Sequence, residues 1–197
     1  TGFSAKMKNV SASFLIVLIF GIFNANANSG STLDQLNLGT LHVLENRAEA
    51  GNEKAQMKLA IMYLQGNGVN ADIYKAIAYY RLAAERDIAF AQYKLARLYL
   101  DGKYVEPDPE QALSWLLRSA KLGLVQAQLE LSLFYENGDG VDRDLVNAHI
   151  WLSIAASLMD SDLRPRQEIL EAKMTPIELA RAKIRSSICI LNGYQDC

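Results

Sequence analysis

Three stretches of this sequence align without a gap: Ala55–Val69 reads AQMKLAIMYLQGNGV, Ala91–Val105 reads AQYKLARLYLDGKYV, and Ala127–Val141 reads AQLELSLFYENGDGV. Each begins 36 residues after the previous one. Shared residues at one fixed spacing are typical of a repeat protein, in which copies of one unit stack along an axis. The positions that coincide are an alanine, a leucine, a tyrosine and a glycine: Ala55, Ala91, Ala127; Leu59, Leu95, Leu131; Tyr63, Tyr99, Tyr135; and Gly66, Gly102, Gly138.

Each unit is predicted to contain two helices. The shared residues of the first half are four apart, as on one face of a helix, and a glycine then ends that helix in the left-handed conformation. An aspartate follows in every unit and is expected to cap the second helix. The run Asp108-Pro109-Glu110-Gln111 is the clearest cap, with proline at the first helical position and glutamine at the third. The predicted fold is therefore all-α, a right-handed superhelix of about three 36-residue repeats over residues 53–160.

The ends of the repeat array are predicted to be helical caps. Upstream, Leu41 to Gly51 aligns with the second helix of a unit, and residues 32–50 are expected to form one capping helix. Downstream, the repeat register breaks at Leu163 and Pro165, so residues 163–197 are read as a C-terminal cap. Helices are predicted over Arg166–Lys173 and from Thr175 to about Ser187, the second burying Ile177, Leu179 (or Ala180) and Ile184.

Cys189 and Cys197, the two cysteines of the sequence, lie eight residues apart in the tail of this cap. In an exported protein, an even number of cysteines indicates a disulfide. A redox-active pair and half of a metal site are the alternatives, although the spacing is not C-x-x-C and the histidines are distant. A disulfide would hold the C-terminal tail.

The first 27 residues have the pattern of a secretory signal peptide. Lys6 and Lys8 precede the ten apolar residues Phe14–Phe23, and Ala25 and Ala27 follow as the small residues of a cleavage site. Ten helical residues are too short to cross a bilayer. Cleavage after Ala27 would remove two lysines and no acid, changing the formal charge from −2 to −4. We therefore expect a periplasmic or secreted protein without a membrane span, the alternative being an uncleaved membrane anchor.

The composition excludes several functional classes. The chain has 20 basic and 22 acidic residues, so it lacks the basic surplus of a nucleic-acid binder. Its two histidines and two cysteines offer little material for a metal site, and none of the common catalytic or nucleotide-binding motifs occurs. His149, inside a predicted second helix, is read as a structural histidine. No catalytic residue, metal site or cofactor is predicted, and the protein is not expected to be an enzyme.

The repeat pattern resembles the Sel-one-like repeat family, a relative of the tetratricopeptide repeat, and in particular its exported bacterial members. The resemblance covers about Leu41 to Leu158 and implies an α-solenoid that acts as an adaptor for protein partners, with first helices lining its concave side. Tyr104 and Asp87 stand where the family usually has glycine. Some exported relatives carry a disulfide within every unit and are linked to β-lactam binding, whereas this chain has no cysteine within its units.

A partner-binding surface is predicted on the face of the first helices that does not repeat. Residues that vary at a fixed register are expected to face solvent or a partner, and apolar side chains there would form a groove with Arg97 as a polar anchor. Packing against the preceding unit is the alternative for several of them. We call these nine residues the variable stripe: Met57, Ile61, Gln65, Tyr93, Arg97, Asp101, Leu129, Leu133 and Asn137.

The predicted function is that of an exported adaptor or scaffold that binds another protein in the cell envelope or outside the cell. The alternative is a cell-envelope enzyme or a peptidoglycan- or β-lactam-binding factor. A structural component that works only as an oligomer is a third possibility.

Overall fold

The computed structural model of the chain describes residues 39–159, 162–195 and 197. The predicted signal peptide and the predicted start of the N-terminal helix, residues 32–38, lie outside the described residues. The chain divides into two units, Thr1–Arg47 and Ala48–Cys197. Residues 39–49 form helix α1.

The second unit is a stack of helix pairs. Each second helix packs against the first helix of its own repeat and, in the first two repeats, against the first helix of the next. Every regular element among the described residues is a helix, and the predicted α-solenoid is confirmed. The pairs are α2 (Glu53–Gln65) with α3 (Ile73–Ala84), α4 (Ala89–Asp101) with α5 (Pro109–Lys121), and α6 (Val125–Asn137) with α7 (Leu145–Leu158), followed by α8 (Arg164–Glu171) and α9 (Pro176–Leu191).

The turns inside the three repeats use the same chemistry. The glycine that ends each first helix has a left-handed φ, and the aspartate that starts each second helix accepts a backbone N–H with its side chain. Both predictions are confirmed. A further bond repeats: the backbone N–H of Asp72, Asp108 and Asp144 donates to the carbonyl of the repeated tyrosine, Tyr63, Tyr99 and Tyr135, at 2.9, 3.1 and 2.9 Å.

The turn between the two helices of the middle repeat differs from expectation in two ways. Tyr104 is not among the left-handed residues, whereas Gly68 and Gly140 at the same register are, because a side chain is costly in that conformation. The cap at Asp108 also differs from the predicted one. Since the N–H of Asp108 already donates to Tyr99, the side chain of Gln111 donates instead to the carboxylate of Asp108, at 2.7 Å.

The loop between the first and second repeats turns at Asp87, which has φ 59° where the other two junctions have glycine. Aspartate tolerates this conformation better than most residues because its short side chain can bond locally. Its carboxylate accepts from the side chains of Gln92 at 3.2 Å and Arg118 at 3.0 Å. These bonds stabilise a turn that lacks the usual glycine.

The repeated residues build the core. The leucine at the centre of each first helix is fully buried, and so are the alanines at its contacts with neighbouring helices. Small residues at such contacts allow the helix backbones to approach closely. The fully buried members are Leu59, Leu95, Leu131, Ala60, Ala96, Ala76, Ala112, Ala148, Ala84 and Ala120.

A buried glutamine connects successive elements of the stack. The side-chain amide of Gln56 donates to the carbonyl of Ala48, eight residues earlier, at 3.0 Å. Gln92 and Gln128 make the same bond to Ala84 and Ala120, at 2.9 and 3.1 Å. The same carbonyls also accept from the backbone N–H of Gly51, Asp87 and Gly123, at 3.0, 3.1 and 2.9 Å, so each glutamine adds a second, buried hydrogen bond at the end of a helix.

The C-terminal cap differs from the sequence-based expectation. Helix α8 begins at Arg164 rather than Arg166, and α9 continues to Leu191 rather than Ser187. The predicted burial of Ile177 and Ile184 is wrong, because they are 74% and 63% exposed.

The face of α9 that packs in the fold is made of small residues. Its buried members are Ala182, Ser186 and Cys189, and α9 packs against α7. A face of small side chains lets the two helices lie close together, and the larger isoleucines occupy the opposite face. A capping box starts α9, where Thr175 and Glu178 bond reciprocally.

The predicted disulfide joins Cys189 and Cys197, whose Cα atoms lie 5.3 Å apart. The tail that it closes contacts the solenoid, because Lys121 Nζ donates to the carbonyl of Gln195 at 3.0 Å and Tyr194 packs against the core.

None of the described helices is both long enough and apolar enough to cross a membrane.

Candidate functional site

The variable stripe lies on the three first helices, and none of its nine residues is buried. The side chains of Gln65 and Asn137 are exposed and bond only to the following turns, accepting from Asn67 and donating to Asp139. The seven other residues differ in their surroundings, and these differences divide the stripe into three parts.

The first part is an apolar cleft on α2. Met57 and Ile61 line a depression of about 640 Å³, and Ile61 is 37% exposed. Met62 and Ile88 add apolar surface to it. The polar side chains at this cleft are Glu53, Lys54 and Lys58, so a solvent-facing apolar surface lies beside two lysines.

The second part is a mixed cleft at the middle of the stripe, about 400 Å³ in volume, which Tyr93, Arg97 and Asp101 line together. Arg97 is not a free anchor. Its guanidinium lies 3.2 Å from Asp101 on its own helix and 3.2 Å from Glu130 on α6. Burial, followed by the negative charge of Glu130, raises the pKa of Tyr93. The arginine predicted as a partner anchor therefore joins two first helices.

The third part lies on α6, where the two leucines of the stripe differ. Leu129 packs against a buried cluster of Ala148, Leu152 and Leu170. It therefore packs within the fold, but against α7 and α8 rather than against the preceding unit. Leu133 is 39% exposed and is available at the surface.

One register position of the first helices was not singled out from the sequence. It holds Lys58 in α2, Lys94 in α4 and Glu130 in α6. Glu130 pairs with Arg97 of the preceding repeat, whereas Lys94 lies over the aromatic rings of Phe90 and Tyr93, 5.0 and 6.0 Å from their centroids. A change of charge sign at a fixed register was the signal that could have identified it.

His149 lies in a hydrogen-bonded chain that joins α7 to the cap. Its Nε2 is 2.9 Å from Glu171 Oε1 and its Nδ1 is 3.2 Å from Ser153 Oγ. Since an ionised carboxylate only accepts, Nε2–H donates to Glu171. The Ser153 hydroxyl also accepts from Gln167, at 3.3 Å, and Lys183 pairs with Glu171 at 3.3 Å.

The serine, histidine and carboxylate of this chain occur in the order found in acyl-transfer enzymes, but their surroundings differ. Ser153 lies one turn from His149 on the same helix, and His149 is buried. Neither residue lines the two clefts described above. The bonds instead hold α8 and α9 against the third repeat, the structural role expected for His149.

Within the described part of the chain, no group of three or more histidine, cysteine, aspartate or glutamate residues is arranged to hold a metal ion.

Comparisons with known proteins agree with this geometry. The Sel1 repeat family matches residues 53–88, 89–124 and 125–158. A crystal structure of a Sel1 repeat protein from Oxalobacter formigenes is 34% identical, with a TM-score of 0.60 over 66% of this chain and 97% of that one. A protective antigen of uropathogenic Escherichia coli with an SLR fold is 28% identical over 80% of this chain and 42% of that one, with a TM-score of 0.49. No curated protein matches the sequence. Because the matched repeats cover more than half of its residues, the chain belongs to the Sel1 repeat family.

Proposed function

We propose that this protein is a scaffold that acts outside the cytosol and binds a protein partner along the variable stripe. The family supports protein binding as the general role, since Sel1 repeat proteins are typically interaction scaffolds. The location and the binding surface are the further steps, and each has its own support.

The observation that carries the binding surface is the contrast between repeated and variable residues on one set of helices. The repeated leucines of the first helices are buried, whereas Ile61 and Leu133 at a shared register are more than a third exposed. Isolated apolar residues are common at surfaces, but Ile61 adjoins Met57, Met62 and Ile88 in one cleft. A contiguous apolar cleft with a charged border is the form that interaction sites take.

Two features support a location outside the cytosol. The signal-peptide pattern of residues 1–27 predicts export, and the disulfide between Cys189 and Cys197 is a bond that persists in oxidising compartments. N-terminal sequencing of the protein recovered from periplasm and medium tests this, with Asn28 expected as the first residue. A first residue upstream of Phe14 would contradict cleavage.

The binding surface is tested by capture from a cell-envelope extract with purified variants. We expect Ile61→Glu combined with Leu133→Glu to lose the captured partner, because both changes place a carboxylate on apolar contact surface. The matched control is Leu82→Glu with Leu122→Glu, which adds the same charge to similarly exposed leucines, 43% and 48%, away from the first helices. Equal capture by both double variants would contradict the proposal.

A catalytic role is tested with the same protein preparation. Incubation with cell-wall fragments and with β-lactams should give no products, since the described clefts contain no nucleophile held by a base. Turnover that Ser153→Ala or Glu171→Gln abolishes would replace the scaffold proposal by an enzymatic one.

A further inference from the structure

The three first helices place different charges at one register. At this register Lys58 is exposed, and Lys94 and Glu130 are half-buried. At the junction of α4 and α6, Glu130 and Arg97 neutralise each other at 3.2 Å. The residue that corresponds to Arg97 one repeat earlier is Ile61, so no such pair can form between it and Lys94.

The lysines of α2 and α4 are not neutralised within the described part of the chain. No carboxylate there lies within ion-pair distance of Lys54, Lys58 or Lys94. By contrast, Arg97 pairs with Glu130 of α6, and Arg166 and Lys173 both pair with Glu136 of α6. Lys54, Lys58 and Lys94 thus stand against one carboxylate at the α2 cleft, Glu53, and leave an excess of positive charge beside exposed apolar surface. At the α6 end of the stripe the charged side chains are paired, Glu130 with Arg97 and Glu136 with Arg166 and Lys173.

Apolar surface lies directly beside these lysines. Lys58 and Lys54 line the same cleft as Met57 and Ile61. The ammonium of Lys94 lies over Phe90, which is 40% exposed, and over Tyr93. A ligand that paired with Lys58 and Lys94 would therefore contact apolar side chains on both helices.

We propose that the segment bound along α2 and α4 is an acidic and apolar stretch of a partner protein, in which aspartate or glutamate alternates with leucine, isoleucine or an aromatic residue. The carboxylates pair with Lys58 and Lys94, and an apolar side chain occupies the cleft of Met57 and Ile61. A polyanion without apolar side chains would pair with the lysines but leave the apolar cleft unoccupied. This inference rests on the proposed function and specifies the partner that it requires.

Selection from a random peptide library on the immobilised protein tests the chemistry. Peptides of about twelve residues are suitable, because an extended chain of that length reaches roughly 40 Å and spans two helices. We expect the selected pool to be enriched in acidic residues interspersed with leucine, isoleucine or phenylalanine. Binding of a selected peptide should weaken as salt rises from about 50 mM to about 500 mM, because screening reduces exposed ion pairs.

Two double variants of the protein and one altered peptide identify the contacts by fluorescence anisotropy. Lys58→Gln with Lys94→Gln should weaken binding about three- to tenfold, the effect of losing two exposed ion pairs. Arg181→Gln with Arg185→Gln makes the same charge change on exposed residues of α9 and should leave binding unchanged. Replacing the acids of the peptide by their amides should reproduce the lysine effect on wild type and add little on the lysine variant.

The outcomes separate this inference from the proposed function. Neutral or basic apolar peptides that Ile61→Glu no longer binds would overturn the acidic partner and leave the binding surface standing. Selected peptides that bind Ile61→Glu as well as wild type would overturn both. A pool with no enriched sequence, or equal losses in the lysine and arginine variants, would also overturn the acidic partner, and retained helical circular dichroism of each variant shows that it is folded.

Discussion

On the buried face of the first helices one leucine recurs in every repeat. On the face that carries the variable stripe, the open face, one register holds isoleucine, arginine and leucine. The buried leucines have no exposed area, but Ile61 and Leu133 on the open face are 37% and 39% exposed. A stack of identical units requires identical contacts between units, and this requirement acts only on the buried face. The open face is free to differ from repeat to repeat, and its differences distinguish this chain from any other solenoid of the same architecture.

A second contrast lies within the open face itself. At the junction of α4 and α6 an ion pair joins two repeats, and at α6 the cap packs near Leu129. At α2 and α4 the register of Glu130 carries Lys58 and Lys94, and beside Lys58 lie Met57 and the exposed Ile61. The α2 end of the stripe is therefore available to a partner, whereas at the α6 end Leu129 and the ion pair contribute to the fold and Leu133 stays exposed. Four predictions test this comparison.

The largest expected effect is on the buried face. Leu95→Ala should lower the free energy of unfolding by about 2–5 kcal/mol, since it removes a fully buried side chain and leaves a cavity. Leu133→Ala, the same change on the open face, should cost less than about 1 kcal/mol. Urea unfolding followed by circular dichroism measures both. Similar losses in the two variants would contradict the division into two faces.

The buried glutamines should come next. Gln92→Ala removes one of the two hydrogen bonds that the carbonyl of Ala84 accepts, the other coming from the backbone N–H of Asp87 at 3.1 Å, and the loss of one such bond costs about 0.5–1.5 kcal/mol. Gln126→Ala is the matched control, because Gln126 is exposed on the neighbouring first helix. The same urea titration should show a loss of stability for Gln92→Ala alone. An unchanged midpoint for that variant would disprove the stabilising role of the buried glutamines.

The ion pair between α4 and α6 should contribute less to the stability of the fold. Arg97 and Glu130 are about 41% and 23% exposed in their side chains, so a double-mutant cycle of Arg97→Ala and Glu130→Gln should give a coupling of about 0.2–1 kcal/mol. The coupling should shrink in high salt. A coupling near zero at low salt would mean that this pair does not hold the two repeats together and that its residues are available to a partner.

The smallest expected effect concerns the cap that packs near Leu129. The hydrogen bond from His149, then that from Lys183, lowers the pKa of Glu171 below its ordinary value of 4.5. A carboxyl with a lowered pKa stabilises the fold at pH values above its ordinary pKa, and this stability is lost as the pH falls through the lowered value. The stability gap between wild type and Glu171→Gln should be about 1 kcal/mol or less at pH 7 and should narrow below pH 4.5. Thermal unfolding across this range measures the gap, and a gap that widened in acid would contradict the assignment.

Much of the fold was predictable because its determinants lie close together in the chain. The glycine ends and aspartate caps depend on residues within one turn, and the fixed 36-residue register supplied them three times. The disulfide was predictable from two cysteines in one tail. The buried glutamines were visible as a repeated residue too, but their bond spans eight residues and joins two elements, and no local pattern indicates it.

The sequence by itself determined the repeat, the helix boundaries within the units and the set of residues that could face a partner. Only the tertiary structure decided which of them do. Arg97 pairs with a carboxylate 33 residues away, and the small face of α9, rather than its isoleucines, packs against α7. Both outcomes depend on how closely helices that are distant in sequence approach one another. Helical periodicity specifies the faces of one helix and gives no information on the distance to the next.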